Sequence, residues 1–301
     1  MINKLESQYK DPKVSIILPT FNRANLIIKA IKSVLNQTYQ NFELIIVDNY
    51  STDNTYDVVN SFKEKRIKYF KYRNNSIIAK SRNYGIKKSK GKYIAFLDSD
   101  DWWKKNKLEI SIIYLEKGYD LTYHNFYISY ASRKKHIKNN MYSWQIKKPY
   151  MENFLKDGNP IATSSVVIKK KLINQVNGFS EDLKLIGAED FDTWIKCSNF
   201  STSYKYINKT LGYILIGEHN TSTIKTKIST IFYLKCKYFK DIKIFNKLIP
   251  YWMKYQLSTA YFRKRNFKIS LILSSQILLK SSRFIFSIKT FFIYIISLIK
   301  Y

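Results

Sequence analysis

The sequence predicts an α/β fold: a parallel sheet with helices on both faces, followed by a helical extension. Three observations predict it. Short continuous apolar runs recur along the first hundred residues, segments of helical period separate them, and polar clusters stand directly behind the apolar runs. Continuous rather than alternating hydrophobicity marks strands buried on both faces, and strand–helix alternation builds a parallel sheet.

In chain order, Val14–Leu18 (VSIIL) is the first buried strand and Pro19 ends it. From Ala24 to Asn36, Leu26, Ala30, Ile31, Val34 and Leu35 form one apolar stripe, the mark of an amphipathic helix. Glu43–Val47 (ELIIV) is the second strand. Ser51 and Thr52 are expected N-caps for a helix across Asp53–Lys63, where Val58, Val59 and Phe62 share a face. Ile67–Tyr72 reads as a third strand, Ala79–Lys88 as a helix, Gly91 as its stop and Lys92–Leu97 (KYIAFL) as a fourth strand. Beyond Lys104 the pattern is mixed. Asn106–Glu116 and Ala188–Ser198 are helical, Leu121–Ser129, Thr163–Ile168 and Gly212–Ile216 are strand-like, and the basic stretch Ser132–Lys148 is expected as a loop near an acceptor. From about Thr223 the alternation gives way to basic, aromatic, helix-compatible sequence. Residues 1–222 are therefore expected as one α/β domain and 223–301 as a helical C-terminal region.

Composition narrows the chemistry. The chain has 301 residues, 45% of them hydrophobic, enough for a real core. Two cysteines and three histidines, none clustered at ligand spacing, argue against a zinc site. The polar, charged stretch Met1–Lys13 does not resemble a secretory signal, and with the sparse cysteines it points to a reducing, cytoplasmic location. The net charge is +30. Codon bias accounts for part of the lysine excess but not for the scarcity of Asp and Glu. Such a surface attracts polyanions, whether lipid headgroups, phosphorylated substrates or nucleic acid.

Ligands on open parallel sheets sit at the carboxyl ends of the strands. Here Pro19-Thr20-Phe21-Asn22-Arg23 follows the first strand, Asp48-Asn49 the second and Asp98-Ser99-Asp100-Asp101 the fourth. Three carboxylates in four positions repel one another. A hard divalent cation such as Mg²⁺ or Mn²⁺ relieves that cost, taking one or two carboxylates plus substrate phosphates. A solvated acidic turn is the plain alternative, and the position behind a buried strand favours the cation.

Five segments occur in order: VSIILPTFNR (Val14–Arg23), SVLNQTYQNFELIIVDN (Ser33–Asn49), STDNT (Ser51–Thr55), SRNYGIKKSKGKYIAFLDSDD (Ser81–Asp101) and AEDFDTWIK (Ala188–Lys196). Together they resemble family 2 glycosyltransferases, the inverting GT-A enzymes of bacterial polysaccharide synthesis, over Lys13 to Ser222. The resemblance implies a Rossmann-like nucleotide-binding mixed sheet, a divalent metal at the acidic cluster and a single displacement with inversion. Carried over by position, it implies that Pro19 and Thr20 lie beside the nucleobase, with Asn22 and Arg23 among the donor-binding residues. Asp48 and Asn49 occupy the family's paired acidic position. The amide of Asn49 can still accept a hydrogen bond from uracil, without charge, so a uridine donor is expected. Arg82 would lie near base and phosphates, Asp98 near ribose and metal, and Asp100 on the metal itself. Asp101 is expected to cap the next helix. Asp190 would be the general base and Glu189 a positioning residue, although acidic residues in a first helical turn are also common on dipole grounds alone. Trp194 is expected in the core. His219 is a weak further metal ligand.

Ile231–Tyr301 holds fourteen Lys/Arg and a single acid, Asp241, with aromatics throughout. The apolar run Phe284–Ile299 is shorter than the ~20 residues a spanning helix needs. It suggests an interfacial helix on an anionic membrane, or a helical pair packed on protein. The expected partners are thus a nucleotide-diphosphate sugar, a lipid-linked saccharide acceptor of O-antigen or capsule type, and the inner face of the cell membrane. A nucleotidyltransferase making nucleotide sugars is the enzymatic alternative, but no Gly-rich phosphate loop follows the first strand. A basic nucleic-acid-binding protein is the other, yet no helix-turn-helix, RRM or zinc-finger signature is present, so no nucleic-acid partner is expected.

Overall fold

In the computed structural model the residues described are 13–130, 140–201, 203–216, 224–238, 249–278 and 284–300. The apolar runs become the centre of a nine-stranded mixed sheet. Its strands are β1 (Val14–Thr20), β2 (Phe42–Asp48), β3 (Ile67–Lys71), β4 (Tyr93–Phe96), β5 (Trp102–Trp103), β6 (Leu121–Tyr130), β7 (Asn140–Met141), β8 (Val167–Lys169) and β9 (Tyr204–Ile216). They run in the order β3-β2-β1-β4-β8-β6-β9-β5, with β7 beside β6. The expected parallel half is present: β1 pairs in parallel with β2 from Val14↔Phe42 to Thr20↔Asp48, and with β4 from Val14↔Tyr93 to Ile17↔Phe96. Beyond β4 the sheet is mixed, since β8 is antiparallel to both β4 and β6 while β6 and β9 run parallel.

β2 and β3 lie on one side of β1 and β4 on the other. The strand order reverses there, and such a reversal opens a crevice at the strands' carboxyl ends. Every residue of β1, β2 and β4 is buried. Because alternate strand residues face opposite sides, helices cover both faces. On one face Ile16, Leu18, Leu44 and Ile46 pack with Ile27, Ile31 and Val34 of α1 (Ala24–Leu35) and with Leu108 and Ile112 of α4 (Lys107–Glu116). On the other, Gly85 of α3 (Ile78–Lys88) is so close to β1 that a Cβ there would lie 2.5 Å from Ile17 Cγ2. Trp194 of α7 (Glu189–Ser198) is fully buried on that face, its ring beside Phe96 and Phe179, as expected.

Two local expectations are corrected. The second helix, α2, spans Thr55–Ser61 with Asn54 at its N-cap, not Ser51 or Thr52. Those two hydroxyl residues instead bond across to the loop after β1. The strand expected over Thr163–Ile168 is a 3-10 turn, Thr163–Ser165, before the short β8. Ser165 bonds back to the carbonyl of Ala162 through both its amide and its hydroxyl, a local alternative to sheet pairing.

The chain divides into two compact units. The first, Met1–Ile146, Pro160–Glu181 and Glu189–His219, holds the whole sheet, α1 to α4, α6 (Lys170–Gln175) and α7. The second gathers Lys147–Asn159, Asp182–Ala188 and Asn220–Tyr301. It contains α5 (Tyr150–Asp157), α8 (Ile224–Tyr238), α9 (Tyr251–Arg263), α10 (Phe267–Leu278) and α11 (Phe284–Lys300). Within it, Trp252 of α9 is buried and donates its indole N–H to the carbonyl of Leu155 at the end of α5. The basic stretch expected as a loop, Ser132–Lys148, lies partly outside the described residues, and β7 forms within it.

Candidate active site

The loops after β1 and β2 are bonded together along their length. Asn22, in the left-handed region at φ 50°, donates its amide to Ser51 Oγ (2.8 Å) and accepts from the amide of Thr52 (2.8 Å). Arg23 N donates to Thr55 Oγ1 (3.1 Å), and Ala24 N to Asp53 Oδ2 (3.0 Å). Asp48 is fully buried, and its carboxylate accepts from Ser51 N, Ser51 Oγ and Tyr69 Oη. It holds the second loop in shape. Thr20 is buried at the mouth of this wall, and its hydroxyl has no partner among the described residues. An orphaned hydroxyl at the carboxyl end of a central strand costs free energy until something bonds it. Asn49 Oδ1 accepts from Asn74 N (2.8 Å), so the oxygen expected to meet a nucleobase already spends one lone pair on the protein.

Arg82 is the hinge of the arrangement. The sequence left open a surface arginine on a helix. The structure buries it to 3% exposure on α3, with one guanidinium nitrogen on Asp98 Oδ1 (2.9 Å) and another on Glu189 Oε1 (2.8 Å). Burial alone would lower its affinity for a proton, and Asp98 and Glu189 overcome this to hold the cation more firmly than usual. Its Nε has no partner. Arg82 therefore reaches a residue 107 positions along the chain, tying the acidic cluster after β4 to the acidic pair opening α7.

Within the acidic cluster the three carboxylates differ. Asp98 and Asp100 keep side-chain exposures of 29% and 32%, and Asp100 lies 3.9 Å from the guanidinium of Arg23. Asp101 is buried and does not cap a helix. β5 intervenes, Asn106 begins α4, and Asp101 Oδ1 accepts from the amide of Leu215 in β9. Its carboxyl is held well above the usual range by burial and then by the charges of Asp98 and Asp100. That is the mark of negative charge with too little compensation. Among the described residues no group of three His, Cys, Asp or Glu side chains is placed to hold a metal ion. Two half-exposed carboxylates side by side still fit a magnesium- or manganese-like ion whose shell is completed by substrate phosphates, not one caged by protein. His219 lies outside the described residues.

Asp190 is half-buried at the start of α7. Its Oδ2 accepts from Thr163 Oγ1 (3.1 Å) and its Oδ1 from the amide of Phe191 (2.6 Å). Burial first, and then the neighbouring charge of Glu189, push its carboxyl up to about 7 against the opposing pull of Arg82. A carboxylate poised near neutrality and partly open to solvent suits proton abstraction. Glu189 is buried and committed to Arg82.

Sequence reasoning did not find the 3-10 turn that joins these groups. Ser164 Oγ accepts from the amide of Asp98 (3.0 Å) and also bonds the side chain of Asp101, while Thr163 holds Asp190. The signal available was the hydroxyl run Thr163-Ser164-Ser165, which reads equally well as the edge of a strand. Of the residues singled out from sequence, the structure brings Arg82, Asp98 and Glu189 into direct contact and sets Asp100 beside Arg23. Pro19, Thr20, Asp48 and Asn49 line the ends of β1 and β2.

The profile of the family described as "Glycosyl transferase family 2" matches residues 15–174. Among relatives, an uncharacterized glycosyltransferase of Rickettsia bellii is 36% identical over 224 residues, 73% of this chain and 31% of the relative. The chain thus spans about a third of the length of the Rickettsia bellii and Rickettsia conorii relatives it matches. The Escherichia coli UDP-Glc:α-D-GlcNAc-diphosphoundecaprenol β-1,3-glucosyltransferase WfaP is 32% identical over 215 residues, covering 71% of this chain and 81% of WfaP. In fold, the chain is similar to Staphylococcus aureus TarS 1–349 in complex with UDP-GlcNAc (TM-score 0.59, 20% identity, 95% of this chain and 81% of that one). It is also similar to a Pyrobaculum calidifontis mannosyltransferase in complex with GDP-Man and Mn²⁺ (TM-score 0.60, 16% identity, 97% and 87%). With the sheet, the crevice and the acidic groups in place, the chain belongs to glycosyl transferase family 2 and has the GT-A fold.

Proposed function

We propose that this glycosyltransferase takes a sugar from a nucleotide-diphosphate donor, a UDP-sugar, and places it with inversion on a hydroxyl of a lipid-linked oligosaccharide, with Mn²⁺ or Mg²⁺ as cofactor. The product would serve surface polysaccharide synthesis of O-antigen or capsule type. The observation that carries the reading is the Arg82 fork, which couples a carboxylate pair suited to a cation and diphosphate with a carboxylate pair suited to a proton. WfaP, named for a UDP-glucose donor and a diphosphoundecaprenol acceptor, supports the substrate classes, and the Mn²⁺ of the similar mannosyltransferase supports the metal.

In this mechanism Asp190 takes the proton of the attacking hydroxyl, its carboxylate oriented by Thr163 on one oxygen and the amide of Phe191 on the other. Glu189 keeps Arg82 charged and fixed beside Asp98. A divalent ion held by Asp100 and the remaining oxygen of Asp98 would stabilise the charge gathered on the departing diphosphate. Thr20, Asn22, Arg23 and Asn49 bind the nucleotide. The amide of Asn49 can donate from Nδ2 to a base carbonyl and accept through the second lone pair of Oδ1. Among the described residues no helix is long and apolar enough to cross a membrane. The lipid-linked acceptor named for WfaP supports a meeting at the membrane surface, on the cytoplasmic side, as a peripheral protein.

Transfer from a UDP-sugar to a lipid-diphosphate glycoside tests the reading through its by-product. Release of UDP with an inverted anomeric linkage supports it; release of inorganic pyrophosphate, or retention, overturns it.

A further inference from the structure

The second unit ends in a helix packed the unusual way round. Amphipathic helices of water-soluble units bury their large apolar residues and expose small polar ones. Along α11, Thr290 and Ser297 are completely buried, whereas Phe292 is 62% and Ile299 76% exposed, with Phe291 and Leu298 also outward. The buried hydroxyl of Ser297 joins a seam with the neighbouring helices. Ser297 Oγ donates to Ser270 Oγ of α10 (3.2 Å), and Ser270 Oγ donates to the carbonyl of Ser258 in α9 (3.1 Å). Ile272 of α10 adds a further exposed apolar side chain. Beside this face, the turn between α9 and α10 and the end of α11 line an open cleft with Lys264, Arg265, Lys268 and Lys300. From Ile249 to Tyr301 the sequence has nine Lys/Arg and no acid.

We infer that this face of α10–α11, with its basic cleft, is a docking surface for anionic phospholipid. The inference deepens the lipid-linked acceptor reading and rests on it only for its biological sense. Charge selects the occupant: a second copy would bring the same four cations, Lys264, Arg265, Lys268 and Lys300, and no acid from this stretch to oppose them, whereas an anionic bilayer neutralises them and also receives the phenyl and isoleucyl side chains. The cleft would take the phosphate of a headgroup, since it is polar, cationic and next to the apolar face.

Flotation of the full chain with vesicles of phosphatidylcholine alone, or containing 30% (about a third) phosphatidylglycerol, tests this without donor or acceptor present. Two variants accompany it: Lys264→Glu with Lys268→Glu and Lys300→Glu, and Phe292→Ser with Ile299→Ser. The wild type is expected to float with the anionic vesicles only. The charge variant should partition at least about a hundredfold more weakly, at ~1 kcal/mol per lost cation. The apolar variant should lose the binding that survives high salt. Unaltered melting temperature and UDP binding in both variants show that the fold is kept. No flotation of the wild type, or equal flotation of all three proteins, overturns the docking surface. So does light scattering that finds a dimer which Phe292→Ser with Ile299→Ser dissolves. Transfer to a short, soluble acceptor is measured in parallel, because its loss would count against the proposed function and its retention without flotation against the docking surface alone.

Discussion

Asp190 and Asp100 are both carboxylates near Arg82 or Arg23, yet their surroundings assign them opposite work. Asp190, with its proton affinity raised to about 7, is the base we propose, and a base functions once deprotonated. The rate at limiting acceptor should therefore rise with pH through about 7. Thr163→Val removes a hydrogen bond that favours the charged form, so its midpoint should move to higher pH; an unmoved profile would detach Thr163 from the base. Asp190→Asn should reduce turnover by ~10²–10⁴-fold while leaving UDP affinity intact, because the base acts on the acceptor. If Asp190→Asn turns over normally and Glu189→Gln is inactive, the proton goes to Glu189. Asp100→Ala should instead abolish Mn²⁺-dependent binding of UDP, measured by calorimetry, and leave the fold untouched.

At the scale of elements, α4 brings an unusual passenger into the core. Lys107 is completely buried, its amine 3.9 Å above the ring of Trp103 and 3.5 Å from the carbonyl of Val166. Burial holds its proton affinity well below that of a free lysine. His124 of β6 is also buried, its Nδ1 2.8 Å from the carbonyl of Asn125, and burial followed by the nearby Lys107 brings it down to about 3. In both cases the unfolded chain binds the proton that the folded chain refuses. Folding should therefore weaken as pH falls from about 6.5 toward 3 through His124, and should strengthen as pH rises toward about 10 through Lys107. Lys107→Met, similar in length and without a polar head, should stabilise the protein by about 1 kcal/mol near neutrality, with the gain shrinking as pH approaches 10. Chemical denaturation of both proteins at about pH 7 and about pH 9.5, roughly three and a half units and one unit below the free-lysine value, reads this directly. A gain that does not shrink would place a charged lysine in the fold. Gly91 sits where β4 meets β1: a Cβ there would lie 2.6 Å from Ser15 N and 2.8 Å from the carbonyl carbon of Val14. Gly91→Ala should cost about 1–3 kcal/mol, because backbone on both sides has to move.

For the molecule as a whole, binding must register as stability. With Mn²⁺ present, UDP at about a hundred times its dissociation constant should stabilise the folded state by ~2.7 kcal/mol, seen as a raised melting temperature. Chelation of the metal should erase that shift without lowering the melting temperature of the free protein. A chelator-insensitive shift would remove the metal from donor binding. The same measurement in Thr20→Val isolates the buried hydroxyl that has no partner among the described residues, and a reduced shift is expected there.

Much of this was legible in the amino-acid order because it depends on local pattern. Unbroken apolar runs dictate strands buried on both faces, and the polar residues behind Leu18, Val47 and Leu97 had to emerge at the strands' carboxyl ends. The resemblance of five segments then carried family and fold. What the order could not express is which distant groups share one proton or one charge. Ser51, a natural helix cap, was drawn to Asp48 and Asn22. Asp101 anchored β9 in place of a helix, and a hydroxyl run that reads as strand became the turn joining the two acidic clusters. Arg82 was expected near base and phosphates, but its ion pair with Glu189, 107 positions away, is nothing a helix's period can express. Hydrophobic period is a property of neighbours along the chain, whereas burial, ion pairing and proton affinity are properties of neighbours in space. The sequence by itself therefore determined the sheet, the positions of the reactive side chains and the excess of positive charge. Only the tertiary structure decided which carboxylate is held for a proton and which pair is left open to a cation, because each outcome depends on the desolvation and opposing charges that folding brings together.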